Sequence, residues 1–212
     1  MRIAILVDDI NSWFVPFSHI LKEKLQSDNY FVNEYNNSKD VSNEDICFIL
    51  SCTKILKKDF LDNHKHNIVV HASDLPKGKG FTPMKWQVLE GKNDIPLTLF
   101  EAVEACDAGP YYFKDVIHFE GFEMLGEMQE IMGNKIIEMC CQFVQHCDEY
   151  EPIEQAGEST YYRRFCKDDD FLDINMSIKD AFLRFRIADF ERFPLYFDNE
   201  GHMYSLTVKR IN

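Results

Sequence analysis

Along most of the chain, short unbroken apolar runs alternate with amphipathic stretches. Ile3-Ala4-Ile5-Leu6-Val7 stops at Asp8-Asp9, Ile46-Cys47-Phe48-Ile49-Leu50 stops at Ser51-Cys52, and Ile68-Val69-Val70 stops at His71. A run that is apolar at every position predicts a strand covered on both faces, as in a parallel sheet. Between the first two runs, Ser12 to Leu25 puts Phe14, Phe17, Leu21 and Leu25 at helical spacing. Pro16 falls in the first turn of that helix, where its missing N–H costs little. Ile55 to Leu61 reads as a second helix and Pro83 to Glu90 as a short one stopped by Gly91. Leu97 to Phe100 and Tyr111 to Phe119 read as further strands. Strands regularly separated by helices predict an α/β fold with a doubly wound, mostly parallel sheet. Ligands of such sheets bind at the carboxyl ends of the strands, where Ser51, Cys52 and His71 fall.

From Gly121 to Cys147 the apolar positions Leu125, Met128, Met132, Ile136, Met139 and Phe143 follow steps of three and four, which predicts a long helix laid against the sheet. The pattern then changes. An irregular polar stretch runs from Tyr150 to Asp173, followed by a short helix near Ile178 to Phe185. A hairpin comes last, with strands at Leu195-Tyr196-Phe197 and Met203 to Val208. The expected organisation is a core over 1–150 and an appendage over 151–212, a helix and a β-hairpin packed on that core rather than an independent domain. There is no internal repeat.

Composition narrows the picture. A chain of 212 residues, 45% hydrophobic and 28% charged, buries a sizeable core as one folding unit. No run approaches the ~20 apolar residues of a membrane helix, and Met1-Arg2-Ile3 leads straight into the first strand, so a cytoplasmic protein without a membrane partner is expected. The seven cysteines lack the spacing of a disulfide scaffold, and reduced thiols are expected. Cys140, Cys141, His146 and Cys147 spread over different faces of a helix, so no metal is expected either. A net charge of −13 opposes nucleic-acid phosphate, and no nucleic-acid partner is expected. Small anions are still admitted, because a local group such as Lys77, Lys79 and Lys85 outweighs the global sign at short range.

The chemistry concentrates in His71-Ala72-Ser73-Asp74-Leu75-Pro76, the Lys77-Gly78-Lys79-Gly80 turn after it, and Asp107-Ala108-Gly109. A histidine at a strand end can manage a proton, and a carboxylate beside it can orient the ring and stabilise its charged form. Taken singly, His71 is as well read as a core histidine bonded to backbone, and Asp107 as a turn residue bonded to its own backbone. Glycines beside Lys77 and Lys79 would let the backbone approach an anion; a solvated basic turn is the alternative.

Residues 67–112 resemble the catalytic half of the formyltransferases that use N10-formyltetrahydrofolate, whose signature is Asn-x-His-x-Ser-x-Leu-Pro with a later Asp-x-Gly. Ser159 to Arg164 and Leu172-Asp173-Ile174 are similar to that family's segment after the core. The resemblance implies a Rossmann-type formyltransferase core, catalytic roles for His71 and Asp107, and N10-formyltetrahydrofolate as co-substrate. That folate would sit in a pocket walled by Leu50, Ser51, Cys52, Leu75 and Cys106. The expected substrate-facing set is Ser73, Lys77, Lys79, Trp86 and Tyr161, although Trp86 is better read as a helix residue packed on the sheet. One member of the signature differs: Val69 stands where the family has the Asn that polarises the carbonyl. Asn67 lies on the same strand face, but four residues along a strand is ~13 Å, too far to substitute. Protonated His71, the Ser73 hydroxyl and backbone N–H groups of residues 77–80 are the candidate replacements.

The resemblance therefore implies an N-formyltransferase acting on the primary amine of a small substrate, foremost a nucleotide-linked amino deoxysugar of surface polysaccharide. A ribonucleotide amine, an aminoacyl-tRNA, or a folate or nucleotide-sugar binding protein without turnover are the alternatives. The hairpin over 193–208 faces solvent or a partner subunit, which leaves a homodimer open.

Overall fold

A computed structural model describes residues 1–211. Its centre is a six-stranded sheet in the order β2 (Phe31–Tyr35), β1 (Arg2–Leu6), β3 (Ile46–Ile49), β4 (His66–His71), β6 (Asp94–Glu101), β7 (Tyr111–His118). The pairings β1·β2, β1·β3 and β3·β4 are parallel, and β4·β6 and β6·β7 are antiparallel. The fully apolar runs form the middle of the sheet, where β3 is buried at every position. Helices α1 (Val15–Ser27) and α4 (Leu125–His146) pack together on one face, with Phe14, Leu21, Phe48 and Phe143 in the main core. The short α2 (Lys58–Leu61) covers the other face over Ala4, Leu6, Cys47 and Ile49. Helices on both faces make the sheet doubly wound, and the fold class expected from the pattern is the one observed.

Two local expectations differ. Strand β2 is an edge strand with a single buried position, so it carries no continuous apolar run to announce it. The helix expected over Ile55 to Leu61 shrinks to the single turn of α2. A third short helix, α3 (Pro83–Leu89), ends one residue before Gly91's turn at Glu90.

Beyond α4 the chain crosses back over the sheet. A two-residue strand, β8 (Tyr161–Tyr162), runs parallel to β5 (Lys79–Gly80). Helix α5 (Ile178–Ile187) and the hairpin β9 (Leu195–Asn199) and β10 (His202–Leu206) follow. They gather a small apolar cluster around Leu172, Ala181, Phe185 and Leu195. Arg186, 1% exposed, joins this part to the sheet by donating to the Glu123 carbonyl and carboxylate and to Asn93 Oδ1. A guanidinium in which each nitrogen has a partner is tolerated; a truncated partner would leave it unpaired at a cost of about 3 kcal/mol or more. Among the described residues no helix is long and apolar enough to cross a membrane.

Candidate active site

β4 delivers His71 to the carboxyl edge of the parallel strands. Alternation along the strand puts Asn67, Val69 and His71 on one face, the side of α2, and Ile68, Val70 and Ala72 on the other. Asn67 is fully occupied below the site: its Nδ2 donates to Leu61 O at 2.9 Å and its Oδ1 lies 3.0 Å from His64 Nδ1. At the top of the strand, His71 is 9% exposed and its Nε2 lies 2.9 Å from Gly78 O. A carbonyl can only accept, so Nε2 carries the proton in this bond and Nδ1 is the nitrogen that presents a lone pair. Nδ1 faces Asp107 Oδ1 at 3.9 Å. That is beyond hydrogen-bond reach, so the carboxylate acts on a charged imidazole only through space. The orientation expected from Asp107 therefore comes from a backbone carbonyl instead.

The turn 77–80 is held from afar. Gly78 N donates to Thr160 Oγ1 at 2.8 Å, Lys79 N to Thr160 O at 2.9 Å, and Phe81 N to Tyr162 O at 3.1 Å. A Cβ at Gly80 would stand 2.3 Å from Tyr162 O. The glycines are thus required by a strand of this same chain lying across the turn, not by the approach of an anion. Lys77 N bonds Asp74 O, and Gly80 N bonds Asp107 Oδ2 at 2.8 Å.

Asp107 comes from the loop between β6 and β7, at φ +51, a left-handed conformation that Asp tolerates. Gly109 closes the loop where a Cβ would stand 1.7 Å from Glu101 O. Gln155 Nε2 donates to Asp107 O and Gly109 O from across the chain.

These pieces open into one cleft of ≈ 1560 Å³. Leu50, Ser51, Cys52, Lys79, Cys106 and Tyr161 line it together with His71 and Asp107, as the sequence suggested. Four expected residues lie elsewhere. Leu75, 1% exposed, packs behind the wall with its carbonyl bonded to Lys114 Nζ. Ser73 and Lys77 line a separate cavity of ≈ 480 Å³ on the far side of the turn. Trp86 stacks on Tyr162 (ring centroids 6.2 Å apart), touches Phe165 (4.3 Å) and donates Nε1 to Arg163 O. Its ring anchors the segment over 161–165, which leaves it no free face for a substrate.

The cleft also contains Lys54, Lys167 and Arg192, which the sequence did not single out. Four lysines and three arginines line it against three aspartates. Arg163 is paired with Asp169 and Arg192 with Asp189. Arg164 lies over the Phe81 ring at 4.4 Å, and Lys54 and Lys85 complete the rim. Burial lowers the Lys85 pKa, with Asp170 and Asp189 opposing that shift. The two wall thiols are poor nucleophiles: burial, then Asp8, pushes Cys52 up to about 12, and burial, then Asp107, pushes Cys106 up to about 11. Among the described residues no three His, Cys, Asp or Glu side chains gather as a metal-binding set. The arrangement offers proton transfer at His71, a fixed carboxylate, and positive charge over an apolar wall.

Residues 10–133 match the model of the formyl transferase family, more than half of the 212-residue chain. A methionyl-tRNA formyltransferase of Thermodesulfovibrio yellowstonii is 28% identical over 169 residues, 76% of this chain and 51% of that protein. The chain spans about half the length of the curated relatives it matches. HypX from Aquifex aeolicus, solved in complex with tetrahydrofolic acid, superposes with a TM-score of 0.79 at 15% identity, over 98% of this chain and 37% of that one. A 4-N formyltransferase from Francisella tularensis superposes with a TM-score of 0.74 at 14% identity, over 99% of this chain and 98% of that one. At such identities the structural likeness is one of fold.

Proposed function

This chain belongs to the formyl transferase family, and we propose that it moves a formyl group from N10-formyltetrahydrofolate to the primary amine of a small phosphorylated acceptor, a nucleotide-linked amino deoxysugar. The observation that carries the acceptor class is the sign of the cleft. A chain of net charge −13 turns four lysines and three arginines into this one cavity, a concentration that attracts a compact anion and does little for an extended polyanion.

The folate has a fitting wall. Leu50, Cys52, Phe100, Ala102 and Val103 line the cleft beside Cys106 and Asp107, apolar surface for a flat heterocycle with backbone groups at its edge. When bound there, the folate supplies a formyl carbon attached to nitrogen. His71 Nδ1 takes the proton that the acceptor amine loses as its nitrogen bonds to that carbon. Asp107 faces the imidazolium while it is charged. His71 then returns the proton to the departing N10 as its bond to carbon breaks, so the enzyme ends as it began.

Calorimetric titration of 5-formyltetrahydrofolate into the wild type and into Asp107→Ala checks the donor pocket. Micromolar binding that weakens in the variant is expected; absence of binding would withdraw both the activity and its site. Turnover of a dTDP- or UDP-linked amino deoxysugar is expected to vanish in His71→Ala with the melting temperature kept. Turnover retained in that variant would remove His71 from the mechanism.

Val69 favours a second reading, a folate or nucleotide-sugar binder without turnover, because the side chain that replaces the family's Asn is apolar and lines the cleft. Transfer that appears only in Val69→Asn would establish it. Fast wild-type transfer would sink it.

A further inference from the structure

With an apolar residue at 69, some other group must stabilise the charge that gathers on the formyl oxygen during transfer. The turn that carries His71's anchor has few donors left. The N–H groups of Lys77, Gly78, Lys79 and Gly80 are bonded to Asp74 O, Thr160 Oγ1, Thr160 O and Asp107 Oδ2 respectively. His71 Nε2 donates to Gly78 O. The Cys106 thiol lies 3.4 Å from Asp107 Oδ2, and Ser73 is in the cavity behind the turn. Every replacement proposed from sequence, apart from the charged form of His71, is committed or turned away.

The Lys79 side chain is not committed. It is 7% exposed, lines the cleft with His71, Asp107 and Cys106, and among the described residues has no carboxylate within salt-bridge distance and no hydrogen bond from its ammonium. Its stem is covered while its ammonium opens on the cleft, so the charge stays solvated until a ligand arrives. A cation kept unpaired beside the proton-transfer group suits a partner that acquires negative charge only during reaction. Its charge already reaches this spot, because Lys79 pulls against the upward shift of the Cys106 thiol. Its backbone is locked between Thr160 and Asp107, so the stem leaves from a fixed point.

We propose that the Lys79 ammonium is the electrophilic catalyst of this site, holding the formyl oxygen in place of the missing amide. It rests on the formyl-transfer reading above. The C=O electron pair moves toward the oxygen as the acceptor nitrogen forms its bond to carbon, and Lys79 neutralises that oxygen. The pair returns as the carbon–N10 bond breaks, and the proton passes from acceptor to N10 by way of His71. Lys79 stays protonated throughout and neither gives nor takes an atom.

The test uses 10-formyl-5,8-dideazafolate carrying carbon-13 at the formyl carbon, bound to the full chain and observed by difference infrared spectroscopy. In the wild type the labelled carbonyl stretch should shift to lower frequency than in water. The shift should be lost in Lys79→Met, with affinity largely kept, and altered but present in Lys79→Arg. An unshifted carbonyl in the bound wild type, or a full shift surviving in Lys79→Met, overturns the role of Lys79 while leaving the donor site intact. Should Lys79→Met fail to fold, the wild-type and Lys79→Arg spectra still decide: no shift in the wild type, or the same stretch in both, counts against Lys79. Failure of the wild type to bind the analogue at all is a different result, which removes the formyl-transfer reading and this role with it.

Discussion

Gly80 and Gly109 both sit where a Cβ would strike a backbone oxygen, but the oxygen belongs to Tyr162 in the first case and to Glu101 in the second. Glu101 ends β6, the strand whose loop contains Gly109, so the Asp107 turn is closed by its own hairpin and by the bond from Glu101 N to Pro110 O. Tyr162 arrives from far along the chain, after α4, and holds the other turn through β8. One half of the site is therefore local, and the other is assembled only when the chain crosses back. The carboxylate should keep its place as long as the sheet does. The histidine's anchor at Gly78 should depend on a thin, two-residue strand whose Tyr161 is largely exposed.

The largest effect is expected from Gly109→Ala. A contact of 1.7 Å with Glu101 O leaves no relaxation short of moving β6 or the loop, and the loss should reach about 3 kcal/mol or more in urea unfolding. An unchanged midpoint would show that the hairpin is not the rigid partner described. Gly80→Ala combines φ +98 with a 2.3 Å contact, but the obstacle is the peripheral β8. A smaller loss of about 1–3 kcal/mol is expected, with faster amide exchange confined to residues 158–163 and the β6·β7 hairpin still protected. Equal destabilisation by the two substitutions, or exchange spreading through the sheet, would erase the distinction between local and distant closure. The smallest effect sharpens it chemically. Burial first, and then Asp107, raises the Cys106 thiol to about 11, so alkylation by iodoacetamide should be slow near neutrality and accelerate as pH climbs toward that value. Asp107→Asn removes a charge that disfavours the thiolate and should speed alkylation a few-fold at fixed pH, the gain tempered by the weaker nucleophilicity of a more acidic thiol. No acceleration would mean that the Asp107 carboxylate is not held against Cys106 as the hairpin places it.

The local half of the site is the half that sequence reveals. Ile68-Val69-Val70 before His71 announces a covered strand, and Asp107-Ala108-Gly109 announces a tight loop, since both patterns concern neighbours in the chain. β2 escaped notice because an edge strand with polar Asn33 and Glu34 lacks the signature of burial on both faces. Trp86, Leu75, Ser73 and Lys77 have residue types suited to ligand contact, yet Tyr162, Phe165 and the turn itself decide which way they face. Gln155 and Arg192 carry no motif, and Thr160 and Arg164 fall in the segment after the core with no contact written in the sequence. They matter because packing brings them to the loop, the turn and the rim.

What the chain determined by itself is whatever follows from periodic burial: apolar runs at β1, β3 and β4, the three-and-four spacing of α4, and a histidine ending a covered strand. Hydrophobic transfer acts on every residue of such a segment, so the pattern is written many times over. The tautomer of His71, the missing hydrogen bond to Asp107 and the unpaired Lys79 were decided by tertiary structure. Each depends on one directional contact between segments remote in sequence, and a hydrogen bond, unlike burial, leaves no periodic trace in the residues on either side of it.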